Sequence, residues 1–182
     1  MAKRKSGRSH LYLQALYLAL GGSFLSFVMN LSFENVSLRI PLGYSLPLFL
    51  FVVMLGVASD AVGIAATRAK EEALLSMGSR RVTGAREAVW FVRNAPRVSS
   101  VFSDLLGDVS ATLSGALAVA MVFRFTGASS VYLTSGAVGA ASFLAIGGKA
   151  LFKPFALKYA ESIILLLGKM RRLWLRGKST RK

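Results

Sequence analysis

The chain has 182 residues and carries 23 Lys and Arg against 8 Asp and Glu, a formal charge of +15, yet 54% of it is hydrophobic and its mean hydropathy is +0.54. So much apolar surface excludes a disordered polyelectrolyte, and the absence of cysteine excludes a small disulfide scaffold. Charge and apolarity coexist only if they occupy separate segments, which also argues against a plain soluble nucleic-acid binder.

Residues 1–10, MAKRKSGRSH, are basic. An uncharged run over 11–29 follows, and about nineteen apolar or small residues suffice to cross a bilayer. A signal peptide would have a shorter apolar core ending at a small-x-small cleavage site. Here the run continues through FLSFVMN, so it reads as a retained helix. The second run, 46–66, is interrupted only by Asp60.

The segment 67–104 is too charged to cross. In TRAKEEALLSMGSRR, Ala69, Ala73, Leu74 and Met77 recur at helical spacing, and Gly78 punctuates the end. VTGAREAVWFVRNAPRV gives a second short helix before Pro96 interrupts; Val89, Trp90 and Val92 lie there among Arg86, Arg93 and Arg97. Such helices suit the membrane interface, with Trp90 at headgroup depth.

The third run, 105–123, has Asp108 near its start, and a tight turn over 124–130 leads to the fourth, 128–148, which is uncharged and rich in Gly, Ala and Ser. Gly136, Gly139 and Ala140 either permit close helix contact or simply fill a crowded bundle. Beyond it, Phe152, Phe155, Tyr159, Ile163 and Leu166 trace an apolar stripe among Lys153, Lys158, Glu161 and Lys169. Its purely apolar part, 163–167, is too short to cross. The expected fold is all-α: a polytopic helical membrane protein with four transmembrane helices plus cytoplasmic interfacial helices.

Orientation follows from the basic residues. Segments 1–10, 67–104 and 149–182 hold 21 of the 23 Lys and Arg, leaving Arg39 and Arg124 for the opposite side. The positive-inside rule places both termini in the cytoplasm of a multi-pass protein of the cell membrane. The basic collar then faces the anionic cytoplasmic leaflet. No nucleic-acid partner is expected, since no aromatic-lined groove or binding module is visible.

Asp60 lies about 9 Å inside the cytoplasmic end of the second run at helical rise. Asp108 sits at the same end of the third and Lys149 closes the fourth. An ionisable group at that depth is costly unless paired, hydrated or metal-bound. Two readings are open. One is a structural Asp–Lys pair holding the bundle. The other is a metal site in which Ser59, Asp60 and Asp108, with Ser110 nearby, supply hard oxygen ligands to a cation such as Mg²⁺. Lys149 opposes the second reading if it points into the same space.

The order VASDAVGIAATRAKEEALLSMGSRR, REAVWFVRNAPRVSSVFSDLLGDVSATLSGAL and GGKALFKPFALKYAESI resembles the transmembrane domain of the cyclin-M/CorC magnesium transporter family. The resemblance covers roughly residues 45–170, with 1–34 a basic N-terminus plus an extra span and 171–182 a basic cytoplasmic tail. Asp60 followed by Ala61 resembles the family's acidic motif at the end of a span, and Gly107–Asp108 its Gly-Asn pair. In the closing Gly-Glu-x-x-Pro-Lys motif, Gly148 and Lys153 match, but Lys149 stands for the Glu and Phe152 for the Pro. The resemblance implies Mg²⁺ held within the membrane by polar groups of the spans and that last acid. A Lys at the acid's place implies an altered or lost divalent site, with Lys149 bonded to Asp108 or Asp60.

The family's cytoplasmic nucleotide-sensing CBS modules have no counterpart in the 33 residues after Lys149. The resemblance therefore implies an unregulated or degenerate version, acting as a homodimer or with a larger membrane partner. Two functions follow as expectations: transport of Mg²⁺ or another cation, or a non-transporting structural or regulatory subunit. An enzyme is not expected, since the chain has no Cys and its single histidine, His10, lies in the tail. No cofactor other than Mg²⁺ is implied.

Overall fold

The computed structural model describes residues 16–17, 19–32, 41–127 and 130–179. Among them every regular element is helical: α1 (Ala19–Ser32), α2 (Leu42–Arg68), α3 (Glu71–Ser79), α4 (Ala85–Arg93), α5 (Ala95–Ser99), a π segment (Ser100–Leu106), α6 (Gly107–Thr126), α7 (Val131–Lys158) and α8 (Ala160–Ser179). Three stretches are long and apolar enough to cross a bilayer: Gly43–Arg68, Ala95–Thr126 and Val131–Lys158. The protein is thus an all-α, multi-pass helical membrane protein. Of the expected span over 11–29, residues 16–17 are helical and 19–29 belong to the apolar helix α1, while residues 11–15 and 18 lie outside the described residues.

The long helices extend past their apolar runs. The crossing that holds the third apolar run begins at Ala95, not at 105, because Pro96 occupies the first turn of α5 and opens a helix there. At that position its missing N–H removes no intrahelical bond. The crossing that holds the fourth apolar run continues beyond 148 through Lys149, Lys153 and Pro154 to Lys158. A single Pro deletes one backbone donor, and long Lys side chains carry their charge to the membrane surface, so neither ends the helix.

The chain divides into two compact units, each built from two stretches. One comprises Met1–Val53 and Val109–Ser142. Its interior includes Phe49, Val52, Leu113, Leu117 and Ala141, all buried. Ser114 is buried there too, and its hydroxyl donates back to the Ala111 carbonyl at 2.8 Å, so the helix itself satisfies it.

The other unit comprises Met54–Asp108 and Phe143–Lys182. Its core joins Ala65, Ala66 and Ala69 to Leu74 of α3, Ala88 and Val89 of α4, Val98 of α5, and Ala160 and Ile164 of α8. Leu74 and Ile164 are fully enclosed, and each such side chain contributes about 1.5–3 kcal/mol of apolar burial. Glu71 and Glu72 place negative charge at the start of α3, where the helix dipole favours it. Gly78 lies inside the last turn rather than after it. The left-handed position belongs to Arg81, at φ 59°. The Arg81 N–H bonds the Gly78 carbonyl at 3.1 Å and the Val82 N–H the Met77 carbonyl at 3.0 Å, a Schellman closure that sharpens the exit from α3.

Helices α4 and α8 pack backbone to backbone. A Cβ on Gly84 would stand 2.6 Å from the Lys169 nitrogen, and one on Gly168 would stand 2.8 Å from the Ala88 nitrogen. The Arg171 guanidinium lies over the Trp90 ring, 3.9 Å from its centroid.

Candidate functional site

The polar groups inside the spans gather where α2, the π segment and α7 meet within the second unit. Small residues make the approach possible. A Cβ on Gly63 would lie 2.8 Å from Cβ of Ser103, and one on Gly148 would lie 2.8 Å from Cγ2 of Val57. Both distances are shorter than real Cβ contacts, so a larger residue at either position would push its neighbour away. By contrast Gly136 and Gly139, whose spacing would permit close contact, meet nothing within 4 Å.

That approach lets the Ser103 hydroxyl donate to Oδ1 of Asp60. Both residues are half-buried, and the donor and acceptor belong to different crossings. The π segment presents the serine: the Gly107 N–H reaches the Phe102 carbonyl five residues back, the wide closure that defines such a turn. Interruptions of this kind concentrate at functional positions.

The second contact lies about one turn further along the same helix. Lys149 Nζ stands 3.8 Å from Oδ1 of Asp108. It also lies 3.4 Å from where a Cβ on Gly107 would be, so the glycine leaves room for the ammonium. The lysine side chain is 26% exposed and the aspartate 78%.

The expected residues therefore separate into two couplings. Lys149 pairs with Asp108 and not with Asp60, while Asp60 takes Ser103, a residue the sequence reading did not single out. The missed signal was the short serine run Ser99, Ser100, Ser103, which looks like a polar loop end until the helix is known to start at Ala95. Ser59 is buried, 6% exposed, and is turned about 100° from Asp60 on α2. Among the described residues no group of three or more His, Cys, Asp and Glu gathers as a metal cluster. The donors at hand are carboxylate and hydroxyl oxygens, the hard type that suits Mg²⁺, with one ammonium beside them.

Comparison of the chain with family models, with curated proteins and with solved structures finds no match in any of the three. What the described helices show is a multi-pass helical membrane protein.

Proposed function

We propose that the protein is a membrane protein of CorC/cyclin-M type that moves Mg²⁺ or another cation, with Asp60 as the acidic group on the ion's path. The reading rests on one observation: a half-buried carboxylate inside one crossing is held by a hydroxyl from another. An ionisable side chain at such a place marks an ion pathway by default. Ser59 and Asp108 are the further oxygen donors of this reading, and Lys149 is the charge that an arriving cation has to displace.

A second reading is favoured by the Lys149–Asp108 pair itself. Two carboxylates and one ammonium leave a net charge of only −1 for a divalent ion. On this reading the fold persists as a structural or regulatory subunit without transport.

Mg²⁺ flux into proteoliposomes, measured for the wild type, Asp60→Asn and Asp108→Asn, separates the two. Transport through this site predicts flux in the wild type and a loss of at least about tenfold in Asp60→Asn, a barrier increase of about 1.4 kcal/mol. Unchanged flux in both variants removes the site assignment. No flux in the wild type, together with a stable heteromeric partner after gentle detergent extraction, supports the subunit.

A further inference from the structure

We propose that α8, with the Trp90 end of α4, is a surface element that docks on anionic lipid headgroups and seats Leu166, Met170, Leu173 and Trp174 among the upper acyl chains. The inference does not depend on the cation reading above.

Helix α8 follows α7 with only Tyr159 between them, so it begins at the end of a membrane-length helix. One side of it is already used: Ala160, Ile164 and Gly168 are buried at successive turns. At about 100° per residue, Leu166, Met170 and Leu173 fall well away from that side. They are 59%, 59% and 70% exposed, and Trp174 is 68% exposed. Large apolar side chains grouped on one arc of an exposed helix mark a contact with something other than water.

Charge selects the occupant. From Ser162 to Lys182 the sequence carries seven Lys and Arg and no Asp or Glu. Lys169 borders the apolar arc on its Leu173 side with Arg172 further round, and Arg171, beyond the opposite edge, is stacked on the half-exposed Trp90 ring. A second copy would bring an equally basic face against this one, and like charges oppose that contact. An anionic bilayer surface attracts it, and the apolar arc then enters the headgroup boundary with Trp at the depth it prefers. The same segment falls on the cytoplasmic side by the distribution of basic residues.

The chain has two tryptophans, Trp90 and Trp174, so its indole fluorescence reports this element alone. The test uses the full chain in vesicles of phosphatidylcholine alone and of phosphatidylcholine mixed with phosphatidylglycerol, each with and without acyl chains brominated near the glycerol. Trp90→Phe isolates Trp174, and Trp174→Phe isolates Trp90. Bromolipid is expected to quench Trp174 more strongly in the anionic vesicles. In Lys169→Gln/Arg172→Gln that difference is expected to disappear, each removed charge lowering surface occupancy about fivefold. Equal quenching in neutral and anionic lipid overturns the proposal. So does a Trp174 open to iodide and untouched by bromolipid. Shielding from both quenchers that is lost on dilution in lipid assigns the face to a second copy instead and also overturns it.

Discussion

Lys149 and Asp108 form an unequal pair: at 3.8 Å separation the lysine is the sheltered partner and the aspartate the exposed one. Of the two charges in this pair the more enclosed is thus the positive one. An exposed carboxylate is readily satisfied by water, so the pair adds little stability in itself. Its effect is on what else can enter. Lys149→Glu is expected to replace a resident cation by a third acidic group. On the transport reading, millimolar Mg²⁺ then raises the unfolding temperature of Lys149→Glu and leaves the wild type less affected, since a ligand stabilises only the state that binds it. A thermal scan with and without Mg²⁺ checks this, and equal shifts in both proteins count against a divalent site beside residue 149.

The Ser103–Asp60 hydrogen bond links two crossings, and such bonds contribute about 0.6 kcal/mol on average and up to about 1.7 kcal/mol. Ser103→Ala is expected to destabilise by an amount in that range in a detergent unfolding titration. Asp60→Asn keeps an acceptor at the same place and is expected to cost less than Ser103→Ala. The reverse order would mean that the carboxylate charge, not the hydrogen bond, holds the contact.

Two glycines with positive φ separate conformational from steric cost. Gly127, at φ 63°, has nothing within 4 Å of an added Cβ, whereas Gly84, at φ 85°, has the Lys169 nitrogen at 2.6 Å. Gly127→Ala is expected to cost about 1 kcal/mol, the price of a left-handed alanine. Gly84→Ala carries the same strain plus a backbone collision, for a total about 1–3 kcal/mol higher. Unfolding midpoints of the two variants check this, and a change in Trp90 fluorescence is expected only for Gly84→Ala.

The Arg93–Glu71 pair joins α4 to α3 at 2.8 Å, but its side chains are 63% and 38% exposed. Exposed pairs of this kind contribute about 0.2–1 kcal/mol and weaken with salt. Glu71→Gln is expected to shift the unfolding midpoint by no more than that, and less at high ionic strength. A larger loss would show that Arg93 needs its partner to keep α4 seated.

How far the sequence reaches can be judged from particular residues. The three described crossings were legible because an uncharged apolar run of membrane length has few alternatives. Their ends were not. Arg97, Asp104 and Lys153 look like the edge of a membrane when helix is inferred from apolarity alone, whereas backbone bonding continues through them. Pro96 reads as a stop in the sequence, and it serves equally as a start. Of the site, Asp60, Asp108 and Lys149 stood out as charges in apolar surroundings. Ser103 did not, because a serine becomes notable only through its partner. Gly63, Gly148 and Gly168 matter by what faces them across another helix, and spacing within one helix carries no such information. Gly136 and Gly139 have the more suggestive spacing and no close neighbour.

The π segment also sets direction. In an α-helix, side chains five residues apart are turned about 140° from one another. A turn that closes on the fifth residue brings such positions back toward one side. Ser103 and Asp108 are five residues apart, and between them the Gly107 N–H closes on the Phe102 carbonyl. With this wider winding one continuous helical stretch meets Asp60 on α2 through Ser103 and Lys149 on α7 through Asp108. Two positions that a regular α-helix would turn well apart are thereby brought closer in direction by the pitch of the backbone.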